Sequence, residues 1–365
     1  MKIITIIGAR PQFVKAAMVS RAIISHNRKT HHPVEEYILH TGQHYDEMMS
    51  DIFFNKLNIP HPVWQLDCGR GSHAEMTAGM LIEIEKVLQK NRPDYVLVYG
   101  DTNSTLAGAL AAAKLHIQVV HVEAGLRSFN RQMPEEINRI LTDHLSSFLF
   151  CPTYAAILNL QHEGITEGVI HTGDVMYDAA LTFGEIAEQT STILTSLQLE
   201  TKQFYLCTVH RAENTDRQDR LSQIIQALIE IARPDCPVIL PLHPRTKKQL
   251  HTWRLFSKIE TNKAFRLVEP VDYLDMIKLE KHAKTILTDS GGVQKEAYFH
   301  RTPCITLRDD TEWVETIVSG WNQLAGYRIE NILHCLENNI QSTEIEEYGD
   351  GHAADKIVQM LLQKN

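Results

Sequence analysis

The sequence predicts two doubly wound α/β domains facing a cleft, and three observations carry that prediction. The chain has 365 residues, beyond the roughly 250 to 300 at which one hydrophobic core stops growing, so two domains are expected. Short β-branched runs alternate throughout with longer amphipathic stretches, the rhythm of βαβ units and parallel sheets. Around "GDVMYDAALTFGEIAEQTSTILTSLQLETKQ" that rhythm lapses into a polar, helical segment and then restarts. The junction is therefore expected near residue 173, between domains at 1–172 and 173–352.

The first-domain strands are expected at "KIITII", "EEYILHT", "YVLVYG", "VVHVEAG" and "SFLFCPT"; the second-domain strands at "FYLCTVH", "PVILPLH", "FRLVEP", "KTILTDS" and "PCITLRD". Most end in a cluster of Gly, His, Asp or Thr. In doubly wound sheets ligands bind beyond the carboxyl ends of the strands, so chemistry is expected there, in a cleft between facing strand ends. The closing stretch, residues 353–365, reads as an amphipathic helix packing back on the first domain.

With 43% hydrophobic and 22% charged residues and no low-complexity run, the composition is that of a globular protein. A formal net charge of -9 disfavours nucleic acid and anionic membrane as partners, and an anionic small ligand would need a local basic pocket. The six cysteines are scattered without a C-x-x-C pair, as expected of reduced thiols in cytoplasm. Arg10 and Pro11 break the apolar start "MKIITIIGARPQF" well short of a signal peptide, and no run reaches the roughly eighteen apolar residues of a membrane span.

"LTDSGGVQKEA" is a strand that turns through Ser290, Gly291 and Gly292 directly into a helix. Unpaired N–H groups at a helix start carry partial positive charge, so the turn suits a phosphate; the alternative is a plain N-cap at Ser290. Glu296, one turn on, is placed to meet ribose hydroxyls. "IIGARPQFVK" is a second such turn, in which Arg10 and Lys15 would suit a diphosphate. "GRGSHA" imitates a dinucleotide fingerprint, but Ser72 and Glu75 explain it as a capping box. No nicotinamide cofactor is expected, and no histidine spacing suggests a metal.

The densest polar region is "YGDTNSTLAG" followed by "HVEAGLRSFNRQMPEEINR". Asp101 and Glu123 each end an apolar strand, where a carboxylate must be paired, hydrogen-bonded or working. With Glu135 they are candidates for acid/base work, and Arg139 lies one turn further on. Glu136 is read as an ordinary first-turn acid. His210 shares its loop with Arg211, Glu213 and Asn214, which raises it above His243, read as a structural hydrogen-bonder.

Taken in order, "GARPQFVK", "TGQH", "GDTNSTLAGALAA", "HVEAGLR", "PEEINR", "CPT", "VHRAEN", "PLHPR", "LTDSGGVQKEA" and "RDDTEWVE" resemble the non-hydrolysing UDP-N-acetylglucosamine 2-epimerase family nearly end to end. The resemblance implies two Rossmann-like domains of the GT-B type, a UDP-sugar substrate, no cofactor and a homodimer. It also implies inversion at C2 by anti-elimination of UDP to a glycal and re-addition from the other face. The positions matching the family's catalytic group are Asp101, Glu123, Glu135 and His210, with Glu296 on the ribose; which of them takes the proton is left open. "TEWVE" stands where "TERPE" is common, so Trp313 replaces an arginine, and "GLRSFN" replaces "GLRTGD". These variants look more like the subgroup that acts on UDP-2,3-diacetamido-2,3-dideoxy-glucuronic acid for surface polysaccharide. The altered "TGQHYDEMM" and "GRGSHAEMT" put activation by a second substrate molecule in doubt. Two rival classes share the nucleotide corner: a GT-B glycosyltransferase and a non-catalytic nucleotide-sugar binding module.

Overall fold

The computed structural model describes residues 1–43, 59–338 and 341–363. The α/β expectation holds: the chain forms two parallel sheets flanked by helices, in two compact units. One unit comprises residues 1–179 and 346–365; the other comprises 180–345.

In the first unit the strands are β1 (Lys2–Ile7), β2 (Glu35–His40), β3 (Trp64–Gln65), β4 (Tyr95–Tyr99), β5 (Gln118–Val122), β6 (Phe148–Cys151) and β7 (Val169–His171). They pair in parallel in the order β3-β2-β1-β4-β5-β6-β7. Between them run α1 (Arg10–Asn27), α2 (His73–Asn91), α3 (Asn103–Lys114), α4 (Pro134–Leu145) and α5 (Tyr154–His162). Helices on both faces bury the central strands completely, which is why β1 and β4 read as unbroken apolar runs. Ile4, Ile6, Val96, Val98, Ala107, Ala111 and Val119 form the core on one face. The predicted capping box is formed: Ser72 Oγ accepts from Glu75 N at 3.3 Å, and Glu75 Oε2 accepts from Ser72 N at 2.7 Å.

The junction is not at residue 173. It falls inside α6 (Val175–Thr190), between Ala179 and Ala180, and the chain returns to the first unit at Glu346. One carboxylate and a backbone bond explain the shift. Asp174 N donates to Tyr348 O at 3.0 Å, and Asp178 caps the C-terminal helix Ala353–Gln363 by accepting from Ala353 N at 3.0 Å and Ala354 N at 2.7 Å. Burial raises the Asp178 carboxyl to about 6, against the pull of these two bonds. The C-terminal helix packs on α1, as expected from its apolar stripe.

The second unit carries β8 (Tyr205–Thr208), β9 (Val238–Pro241), β10 (Phe265–Val268), β11 (Thr285–Thr288), β12 (Cys304–Thr306) and β13 (Asn322–Leu324), with α7 (Gln218–Ile231), α8 (Pro244–Thr252), α9 (Tyr273–His282), α10 (Gly291–Phe299) and α11 (Ile329–Glu337) around them. Its parallel order, β10-β9-β8-β11-β12-β13, repeats the winding of the first unit. Each sheet thus has one place where the winding reverses, beside β1 and β4 in the first unit and beside β8 and β11 in the second. Crevices for ligands open at such points. No helix among the described residues is long and apolar enough to cross a membrane.

Candidate active site

The loops after β1 and β4 enclose a pocket of about 190 Å³ at the first reversal point. Lys15, Asp101 and Glu135 line it, with Gln12, Gln43, His73, Asn103 and Asn138. The loops are locked together by Gln12, which the sequence reading passed over. Its Oε1 accepts from Gly8 N at 2.8 Å and Ala9 N at 3.0 Å, while Nε2 donates to Tyr99 O at 2.9 Å. Gly8 is required because a Cβ there would lie 2.0 Å from Thr41 Oγ1 and 2.3 Å from Ser104 Oγ.

The acids at this point come with cations. Arg139 Nη2 donates to Asp101 Oδ2 at 2.5 Å and its Nη1 to Glu136 Oε2 at 3.0 Å. Burial lowers the Arg139 pKa, but the two carboxylates outweigh it, and the net direction is upward. Asn138 Nδ2 donates to Asp101 O at 2.9 Å, fixing the backbone that carries the acid. Glu123 pairs with Lys15, each side chain about one-tenth exposed. Lys15, expected beside a diphosphate, is therefore engaged with an acid of its own unit. Glu123 sits at φ +72°, a left-handed conformation rare for a non-glycine residue and concentrated at functional sites. Both Glu123 N and Ala124 N reach Phe150 O at 3.1 Å, so the strand end bulges where the carboxylate is presented.

Glu136 is more than a first-turn acid. It is 1% exposed and accepts from Ser128 N, Ser128 Oγ and Phe129 N, each at 2.9 Å. It thereby holds the "SFN" loop onto α4. The Arg10 side chain and the "HYDEMM" stretch, residues 44–49, lie outside the described residues, and so does most of "TGQHYDEMM", one of the two segments named for second-substrate control; the other, "GRGSHAEMT", is described.

At the second reversal point the chemistry differs. The "SGG" corner opens α10, with Ser290 Oγ accepting from Val293 N at 3.5 Å. Gly291 is buried, and a Cβ there would meet Glu312 Oε1 at 2.4 Å. Glu296 lies within the same helix, and its charge, after burial itself, pushes the wholly buried Glu280 carboxyl far above the usual range. Trp313 is 8% exposed beneath the Lys295 ammonium, 4.1 Å from the ring centre.

His210 follows β8 directly across from this corner. Asp289, fully buried just after β11 and given no role from the sequence, holds the loop: it accepts from His210 N at 3.0 Å, Arg211 N at 3.0 Å and Asn214 Nδ2 at 3.2 Å. Burial holds the His210 imidazole below the usual histidine range; His243 and Arg211 add to this, and the Asp289 charge opposes it. The His243 ring lies 5.4 Å away, and its Nδ1 caps α8 by accepting from Arg245 N at 3.2 Å. Glu213, from the same loop, pairs with Arg308 at 3.0 Å.

Two reversed α/β sheets, one with acids and one with a glycine-opened helix at the reversal, define a two-domain Rossmann-like protein of the GT-B type. Residues 26–362 match the family model described as UDP-N-acetylglucosamine 2-epimerase. A Methanococcus maripaludis protein named a UDP-N-acetylglucosamine 2-epimerase homolog is 53% identical over 99% of both chains. The Pseudomonas aeruginosa UDP-2,3-diacetamido-2,3-dideoxy-D-glucuronate 2-epimerase is 51% identical over 100% of both. The crystal structure of Methanocaldococcus jannaschii UDP-GlcNAc 2-epimerase in complex with UDP-GlcNAc and UDP superposes with a TM-score of 0.87 at 47% identity, covering 100% of both chains. The chain belongs to the UDP-N-acetylglucosamine 2-epimerase family, and it is an isomerase, a UDP-sugar 2-epimerase.

Proposed function

We propose that this enzyme converts UDP-2,3-diacetamido-2,3-dideoxy-D-glucuronate to its manno epimer, supplying surface polysaccharide such as lipopolysaccharide. The same reading makes it a cytoplasmic homodimer. Asp101, Glu123 and Glu135 form the acid/base group, with Arg139 holding Asp101 and Lys15 holding Glu123. Ser290, Gly291 and Gly292 seat the diphosphate, His210 completes the catalytic group as the cation that meets the leaving diphosphate, and Glu296 takes the ribose. The observation that carries the chemistry is the pocket in which Asp101, Glu135 and Lys15 meet at the first reversal point.

The reaction asks for this division. A carboxylate removes the C2 proton as the C1–O bond breaks; the electron pair leaves with UDP and a glycal remains. UDP oxygen then re-forms the C1 bond, while a proton is delivered to the opposite face of C2. The C2 proton is weakly acidic, so donors preorganised around the departing diphosphate supply much of the stabilisation. The sequence is redox-neutral and calls for no nicotinamide.

The substrate choice is supported by Trp313 in place of arginine and by the full-length identity to the P. aeruginosa enzyme. The second reading, UDP-N-acetylglucosamine giving UDP-N-acetylmannosamine, is favoured by the M. maripaludis and M. jannaschii relatives. Incubation with each UDP-sugar in deuterated water, without any acceptor, decides between them. The proposal expects deuterium at C2 with either substrate turned over, and kcat/KM at least about tenfold higher for the glucuronate. A reversed ratio assigns the enzyme to UDP-N-acetylglucosamine. Transfer of sugar only when an acceptor is supplied would make it a glycosyltransferase, and binding without exchange would make it a carrier module.

A further inference from the structure

The geometry points to His121 as a positioning residue for epimerisation: a buried imidazolium, donating from both ring nitrogens, that fixes the two strand ends bearing Asp101 and Glu123. The inference rests on the assignment of those two acids to the chemistry.

His121 lies in β5, two residues before Glu123, and is 0% exposed. Its Nε2 is 2.7 Å from Gly100 O, the carbonyl immediately before Asp101. A carbonyl oxygen only accepts, so Nε2 carries a proton. Its Nδ1 is 2.7 Å from Asp143 Oδ1. The other oxygen of Asp143 accepts from Arg127 Nη1 at 2.7 Å and from Gly125 N at 3.1 Å. An acid whose far oxygen is taken by a guanidinium and an amide is a carboxylate, and so Nδ1 donates as well. Both ring protons are accounted for, and the ring is cationic.

The charges around it agree. Arg127 also pairs with Glu163 at 2.7 Å, so the cluster of His121, Asp143, Arg127 and Glu163 is neutral with the ring protonated and carries one excess negative charge without that proton. A further ionisable neighbour, Cys151, stays a thiol: burial, together with the Asp143 charge, pushes it up to about 12.

The consequence for the site is mechanical. Gly100 is in the left-handed region at φ +62° and Glu123 at φ +72°. A Cβ on Gly100 would come within 3.1 Å of Glu123 Oε2 and 3.3 Å of Lys15 Nζ. The carbonyl that His121 grips is therefore the hinge between the Asp101 loop and the Glu123–Lys15 pair. Asp143 in turn holds Gly125 N, two residues beyond Glu123. One imidazolium and one carboxylate thus clamp both strand ends from behind, without lining the pocket themselves.

Two readouts test this on the full-length enzyme. Nitrogen-15 NMR of the histidine-labelled protein at assay pH should show one ring with both nitrogens protonated and both protons in slow solvent exchange. Asp143→Asn should abolish that signature. His121→Gln should lower kcat about 10- to 100-fold, with KM and UDP affinity within about threefold, as expected when positioned groups are misplaced without loss of ground-state binding. The inference is overturned if no ring in the wild-type protein carries two protected N–H groups, a measurement that holds even where His121→Gln does not fold. It is equally overturned if folded His121→Gln turns over at the wild-type rate. Full turnover by Asp101→Asn, with the imidazolium signature intact, would instead sink the acid assignment on which the inference stands.

Discussion

The two reversal points share a strand order and differ in what they present. In the first unit, side chains dominate: Asp101 and Glu123 are each matched with a cation, and Glu135 lines the same pocket. In the second, the backbone dominates: a glycine-opened helix start and a histidine loop, with the buried acid, Asp289, spent on main-chain N–H groups. Under the proposed function, the same topology yields a place for moving protons and a place for holding an anion. What separates them is whether the carboxylate after the strand faces the pocket or turns back into the loop.

The sharpest way to break that contrast is Asp101→Asn. Turnover should fall by about two orders of magnitude or more, the usual scale for an acid/base group, while UDP affinity stays within a few fold. Steady-state kinetics alongside UDP titration check both halves. Unchanged turnover would make Asp101 as structural as Asp289.

The converse substitution, Asp289→Asn, addresses the acid that works on its own backbone. Removing the charge from a buried group that accepts from two main-chain N–H groups should cost about 1.5 to 3 kcal/mol of stability, read as a lower urea midpoint. The kcat of the folded enzyme should fall far less than in Asp101→Asn. A loss of turnover as deep as that variant's, with stability unchanged, would move Asp289 into the chemistry.

The contrast was only half legible in the sequence. Strands β1, β4, β5, β8, β9 and β11 stood out because burial on both faces leaves an apolar run. The edge strands β3, β7 and β13 did not, since two or three residues show no period. Asp101 and Glu123 were visible as acids ending apolar strands. Glu136 was hidden by the first-turn preference for acids, which predicts the same residue for a weaker reason. Asp289 was hidden because a turn acid before Ser-Gly-Gly looks like ordinary punctuation. His121 did leave a signal: a histidine inside a buried apolar strand must be partnered on both nitrogens. Which partners it finds, 22 residues along the chain in Asp143 and 21 residues back in Gly100, is set by the register of β4, β5 and α4, which no local pattern encodes.

A smaller effect sharpens the anion side of the comparison. Gly291→Ala places a methyl carbon 2.4 Å from Glu312 Oε1, a carboxylate tethered to Arg308 at 2.8 Å. The side-chain end must shift across the helix start, and UDP affinity should weaken about tenfold as the amides lose close approach. Calorimetric titration with UDP is the measurement. Unaltered affinity would remove the corner from the diphosphate seat and leave Ser290 as a plain N-cap.

The smallest effect is a pH dependence confined to the second unit. In the free protein burial lowers the His210 pKa from its usual 6.5, so the ring is neutral at neutral pH. A bound diphosphate favours the imidazolium and raises that pKa in the complex. Binding therefore takes up a proton wherever the pH lies between the free and bound values. Its affinity rises as pH falls through the bound value and levels off below the free one. One group limits the slope to about tenfold per pH unit, and a partial shift gives less. Titrating UDP-glucose, whose diphosphate diester does not ionise in this range, in buffers of different ionisation enthalpy should reveal the uptake. In His210→Asn the affinity should be flat over the same range. A flat profile in the wild-type enzyme would place the diphosphate away from His210 and leave anion binding to the helix start alone.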